Sequence, residues 1–143
     1  MIDIDDRLDV AGAFQTAIYA HLTGTPAVAA LVGNRVFDRV SKGAAFPYVT
    51  IPDVQLVEDG ADCFEGDEIF LDIHVWSRAV GSMEAKAIVG ALRRSLHGAD
   101  LNLGANHALV DLQFRGQQDA GSDDPLTTHL IARFYALTET VSA

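Results

Sequence analysis

Residues 67–98 read DEIFLDIHVWSRAVGSMEAKAIVGALRRSLHG, and this stretch decides the fold. Ile69, Leu71, Ile73 and Val75 alternate with Phe70, Asp72, His74 and Trp76. That period of two is the mark of a strand with one apolar face. Ser77 to Ser82 is a turn. Ser82 suits the N-cap of a following helix, where a hydroxyl can accept an orphan backbone N–H. Glu84 falls in the first turn, at the positive end of the helix dipole. Ala85, Ile88, Val89, Leu92 and Leu96 recur at helical spacing, with Lys86, Gly90, Arg93, Arg94 and His97 on the opposite side. Gly98 can adopt the left-handed conformation that ends a helix. A strand and an amphipathic helix joined this tightly fold back on each other and form the centre of the core.

Downstream, Ala99 to Asn106 is a connector. His107 to Arg115 alternates, which puts Ala108, Val110, Leu112 and Phe114 on one face. Gly116 to Pro125 reads as a polar loop carrying Asp119, Asp123 and Asp124. Thr127 to Leu137 is the last strand, with Leu130, Ala132, Phe134 and Ala136 on one side. The chain loosens after that, so residues 139–143 are expected to be a free end, as are residues 1–9.

Upstream, Glu58 to Asp67 is an acidic loop with Glu58, Asp59, Asp62, Glu65 and Asp67. The strand before it, Tyr48 to Val57, contains Pro52. Proline cannot donate to a ladder, so an edge position or a bulge is expected there. Arg35 to Val40 is a short strand. Val10, Phe14, Ala17, Ile18 and Leu22 define a first helix. Thr25-Pro26 opens a short second one that Gly33-Asn34 closes.

The element order is helix, strand, strand, strand, helix, strand, strand. It predicts an α+β domain over residues 1–143, with a mostly antiparallel sheet of four to five strands and two main helices on one face. The other face would show Asp72, His74, Asp111, Gln113, Arg115, His129 and Arg133. Ile131 and Tyr135 share that face and sit poorly in water, which points to cover by another subunit.

A chain of 143 residues that is 49% hydrophobic can build one packed core. No apolar run is long enough to cross a bilayer, and the start is acidic where a signal peptide would be basic. A soluble protein made in the cytosol is expected. The single Cys63 excludes an internal disulfide and a cysteine-rich zinc site. A net charge of -10 argues against a broad nucleic-acid-binding surface. It is compatible with DNA sliding past, because an acidic wall repels phosphate.

The residues offer little catalytic chemistry. The five histidines hold no HExxH and no pair at ligand spacing. His74 and His129 could meet across the sheet, with Asp72 beside them, as a metal or acid–base site. Uncovered polar residues on a sheet face are the plainer reading. Asp59-Gly60-Ala61-Asp62 and Asp119-Ala120-Gly121-Ser122-Asp123 lack the glutamate that completes a calcium loop. Cys63 sits among acids, which raise a thiol pKa and blunt it as a nucleophile. GxSxG, GxxxxGK[ST] and GxGxxG are all absent. Trp76, at the end of the central strand, reads as a core or interface anchor.

Four segments carry a resemblance: Ala30-Leu31-Val32-Gly33-Asn34-Arg35-Val36-Phe37-Asp38-Arg39-Val40, Phe46-Pro47-Tyr48-Val49, His74-Val75-Trp76-Ser77-Arg78 with the following Glu84-Ala85 helix, and Arg133-Phe134-Tyr135-Ala136-Leu137-Thr138-Glu139. In this order and spacing the chain resembles the tail terminator or head–tail joining proteins of long-tailed phages and gene transfer agents, from about Ala13 to Glu139. The resemblance implies a fold like the lambda-type tail terminator. It implies a virion protein with no catalytic motif and no cofactor. Such proteins form a ring, usually a homohexamer, that caps the tail tube, stops its growth and receives the head-side connector while DNA passes through the hole. On that reading Asp59, Asp62, Glu65, Asp67, Asp119, Asp123 and Asp124 are candidate contacts to the tube or the connector. Trp76, Ile131 and Tyr135 are candidate contacts between subunits. A stopper or adaptor at the same junction is the neighbouring alternative. A small metal- or ligand-binding enzyme using Asp72, His74 and His129 is the alternative from another class.

Overall fold

The computed structural model describes residues 10–59 and 66–141, except for the side chains of residues 52, 53 and 59. The order is α1 (Val10–Thr23), α2 (Pro26–Val32), β1 (Val36–Phe37), β2 (Tyr48–Asp59), β3 (Gly66–Ser77), α3 (Met83–Leu96), β4 (His107–Asp119) and β5 (Thr128–Thr140). The strands form one sheet in the order β1-β2-β3-β5-β4. Only β1 runs parallel to its neighbour. The α+β architecture expected from the sequence is the one observed.

The core lies between the helices and one face of this sheet. β3 supplies Ile69, Leu71, Ile73 and Val75, and β5 supplies Leu130, Ala132, Phe134 and Ala136. From α1 come Val10, Phe14, Ile18 and Leu22; from α3 come Ala85, Ile88, Val89, Ala91, Leu92 and Leu96. Each large aliphatic side chain buried this way stabilises the fold by roughly 1.5–3 kcal/mol. Both periodicities read from the sequence point into this one layer.

The N-caps form at the expected positions but by other bonds. Ser82 precedes α3 without a side-chain cap. Instead the buried Ser77 hydroxyl donates to Glu84 Oε1 at 2.8 Å and accepts the Ala79 N–H at 3.2 Å. Glu84 thus ties the first turn of α3 to the end of β3. Thr25 turns its hydroxyl back to the His21 carbonyl, 2.6 Å away. At the other end of α3, Gly98 has φ 73°, the left-handed stop that the sequence predicts.

Three boundaries differ from expectation. The last strand continues to Thr140, with Thr138 buried and its hydroxyl donating to the Asp67 carbonyl at 3.3 Å. The Val141 N–H donates to the Asn106 carbonyl at 2.9 Å. The segment after Leu137 is therefore not loose as far as it is described, because the neighbouring strands β3 and β4 continue far enough to pair with it. β4 likewise runs through Gly116, Gln117 and Gln118 to Asp119, shortening the expected loop. The Arg35–Val40 strand shrinks to Val36–Phe37.

Irregularities in pairing set the faces. The register of β2 against β3 shifts between Thr50 and Asp53, around Pro52, as a strand proline requires. β4 shifts against β5 between Leu109 and Asp111 and again between Phe114 and Gly116. The first bulge breaks the simple alternation. Leu109 packs on the core with Leu112 and Phe114, while Val110 is 51% exposed. The expected shared face of Ala108, Val110, Leu112 and Phe114 is corrected accordingly: one inserted residue reverses the face of everything before it.

The two sheet margins are unequal. Successive residues of an edge strand point their backbone groups alternately inward and outward. On β4 the outward Leu112 carbonyl accepts the Gly98 N–H at 2.8 Å. The outward Phe114 N–H donates to His97 Nδ1 at 3.0 Å. The end of α3 thereby closes the middle of this margin. On the opposite margin β1 pairs with Val49 and Thr50, and among the described residues no strand pairs with that side of β2 from Val54 on.

Candidate interaction surface

The sheet face away from the helices carries the side chains that alternate with the core. At one end β3 and β5 bring His74 and His129 together, with Nδ1 and Nε2 2.7 Å apart. Trp76 stacks on His129 at a centroid distance of 3.7 Å and an angle of 11°. The indole N–H of Trp76 donates to Thr50 Oγ1 at 3.3 Å, and Tyr48 lies beyond it at 6.2 Å. These contacts follow from register: Thr50 is paired with His74, and Trp76 with both Tyr48 and His129. Burial, and then the charge of His74, push His129 below the usual histidine pKa. A hydrogen bond to the Gly121 backbone and the Asp119 carboxylate oppose this.

Asp72 does not complete a trio with the histidines. Its carboxylate lies 3.6 Å from Arg133 Nε. Among the described residues no group of three or more His, Cys, Asp or Glu side chains could hold a metal ion. The paired histidines instead extend an aromatic row, held by stacking and by bonds to neighbouring strands.

The middle of the face is aromatic and cationic. Phe70 and Tyr135 meet edge-on at 5.5 Å, and the Tyr135 hydroxyl donates to Glu68 Oε2 at 2.9 Å. The Arg115 guanidinium lies 4.5 Å over the Tyr135 ring. Arg133 Nη1 donates to Gln118 Oε1 at 2.6 Å. A cleft of about 460 Å³ opens here between Gln55, Phe70, Asp72, Arg115 and Arg133. Exposed aromatic rings with arginines are the composition of protein–protein contact sites.

A second cleft of about 530 Å³ lies at the end of the sheet, between Phe46, Tyr48, Trp76, Arg78, His129 and the loop after β4. Arg78 stands 4.3 Å over the Phe46 ring and 3.3 Å from Asp124. Asp124 also accepts the Leu126 N–H and the Thr127 hydroxyl, and these bonds hold its carboxyl below the usual range. Burial raises the Tyr48 phenol above its usual value, with Arg78 opposing.

The residues singled out in the sequence fall in different places. Trp76, Ile131 and Tyr135 share the open face with His74 and His129. Asp67 lies in β3 opposite Glu58 and Thr138. Asp119, Asp123 and Asp124 cluster around the β4–β5 loop. Asp62, Glu65 and Cys63, and the side chain of Asp59, lie outside the described residues. Phe70 was missed as a site residue, although an aromatic ring on the polar side of an alternating strand is a legible signal. Arg78 and Phe46 give no such signal, because only the fold brings them together.

The family model described as "Tail completion protein gp17" matches residues 16–139. A chain of the solved "Virion of native gene transfer agent (GTA) particle" is 31% identical to this one, with a TM-score of 0.83. The match covers 91% of this chain and 97% of that one. The bacteriophage SPP1 gp17 protein is 23% identical with a TM-score of 0.58, over 95% of this chain and 94% of that one. At that identity the likeness is one of fold. No curated protein matches the sequence.

Proposed function

Because this chain belongs to the tail completion protein gp17 family, we propose that it closes into a ring, a homohexamer, at the head-proximal end of a tail tube. The ring ends polymerisation of the tube and receives the head-side connector. The observation that carries this reading is the likeness, over nearly the whole of both chains, to a chain of a native gene transfer agent virion.

Physical features support it. A cyclic ring joins one patch of each subunit to a different patch of the next. The open sheet face offers one such patch, with Phe70, Trp76, Ile131 and Tyr135. The acidic segment 58–67, between β2 and β3 in the sequence, is the part we assign to the tube or the connector. A net charge of -10 keeps passing DNA from adhering wherever the acids line the hole. The role is structural, in the virion, and needs no turnover and no cofactor.

Electron microscopy of particles produced without this protein tests the reading. Overlong or headless tails, restored by supplying the wild-type chain, are expected. Joined particles of normal length and yield would overturn it.

A further inference from the structure

The loop between β4 and β5 is built as a rigid knob. Asp119 Oδ1 accepts the Gly121 N–H at 2.9 Å, and Ser122 Oγ accepts the Asp124 N–H at 3.2 Å. Asp124 accepts the Leu126 N–H through Oδ1 at 2.9 Å and the Thr127 hydroxyl through Oδ2 at 3.1 Å. Arg78 then pins Asp124 to the end of β3. Asp119 and Asp124 thus serve the loop itself. Asp123 does not: it is exposed and makes no hydrogen bond or ion pair among the described residues. Leu126, three residues on, is 75% exposed. An ordered loop that presents an unpaired carboxylate beside a bare leucine is already arranged for a partner, which lowers the ordering cost of docking.

The complementary surface is the cleft in the middle of the open face. Phe70 is 41% exposed there. Arg115 is exposed, stacks on Tyr135 and makes no ion pair among the described residues. We infer that the knob of one subunit seats in this cleft of the next. Leu126 lies against Phe70, and the Asp123 carboxylate accepts from the Arg115 guanidinium. The occupant is a second copy of this chain because the charges and the apolar contacts match one to one. Within one chain the loop leads away from the cleft: Gly116 to Asp119 pair with Leu130 to Arg133 between them. Knob and cleft are different patches, so the contact is head-to-tail, the type that a ring requires and a two-fold dimer does not use. The inference rests on the ring reading above. It makes the β4–β5 loop a contact between subunits, and leaves the tube and connector to the other end of the sheet.

Charge exchange tests it on the full chain. Arg115→Glu, Asp123→Arg, the two together and the milder Leu126→Ser are compared with wild type. The readouts are the mass in solution across concentrations and the yield of joined particles in cells lacking the native protein, with melting curves as a check on folding. Each single reversal is expected to weaken self-association or yield by ~10-fold or more, and the double exchange to recover most of it. Normally folded single variants that assemble like wild type would overturn the seating, as would a double variant no better than the singles. In either case a wild-type ring still counted on tails leaves the ring reading standing. A wild-type chain present once per particle sinks both.

Discussion

His74 and His129 meet nitrogen to nitrogen at 2.7 Å across two strands, with Trp76 stacked on the second of them. One nitrogen must donate and the other accept, so the contact needs at least one neutral ring. A second proton would set two positive charges against each other.

Stability should therefore depend on pH, and the direction is fixed. A folded-state pKa depressed below the usual 6.5 means that the unfolded chain takes up the proton first. The stabilisation by neutral His129 is full above the usual value and is lost as pH falls through the lower folded one. Asp124 is depressed too, so its share is full above the usual 3.8 and drains only as pH falls below that. Melting temperature should fall in two separate steps between neutral and strongly acid pH. His74→Gln should flatten the first step, since it removes one source of the His129 shift. A melting temperature indifferent to pH between 7.5 and 5 would refute this.

Helix α3 offers a pair of opposite predictions. Leu92 is fully buried, so Leu92→Ala should cost about 2–5 kcal/mol through lost contacts and a cavity. Gly90, at the middle of the same helix, would meet only the flexible end of Arg94, at 3.2 Å, if given a Cβ. Gly90→Ala should stabilise by roughly 0.5–1 kcal/mol, because glycine weakens a helix interior. Urea unfolding checks both. A stabilising Leu92→Ala or a strongly destabilising Gly90→Ala would mean that the helix faces are assigned wrongly.

Ser77 is the hinge between β3 and α3. Ser77→Ala removes both hydrogen bonds of a buried hydroxyl, to the Glu84 carboxylate and from the Ala79 N–H, at a cost of about 1–3 kcal/mol. Ser82→Ala should cost little, because the Ser82 hydroxyl makes no cap bond. The comparison separates the two serines by denaturation alone; equal losses would contradict it.

How much of this was legible beforehand follows from what each period depends on. The alternation of Ile69 to Val75 and the helical spacing of Ala85 to Leu96 stated the core directly, since each is a local pattern serving one face. Val110 misled because a bulge is set by the pairing strand and leaves no mark on its own segment. Ser82 misled in a similar way: it holds the cap position, while the bond that anchors the helix comes from Ser77, five residues earlier. On the surface, Trp76, Ile131 and Tyr135 were readable as apolar residues on a polar face. The company of Arg115 and Phe70 around Tyr135 was not, because it depends on three strands arriving in register.

His97→Ala should uncover the Phe114 N–H, at a cost of roughly 0.5–1.5 kcal/mol for the lost hydrogen bond. It should also raise the tendency to aggregate at high concentration, measured by light scattering over hours, with the native fold intact by circular dichroism. An unchanged scattering record would mean that His97 plays no part in guarding that margin.

That guard has a consequence for the proposed role, in which the chain ends the growth of a tube. Bare margins on both sides of a sheet let identical subunits add without limit, ribbon-fashion. Here the end of α3 occupies the middle of one side, which obstructs strand-to-strand addition there. A subunit with one margin obstructed in this way resists open-ended ribbon growth through its own sheet.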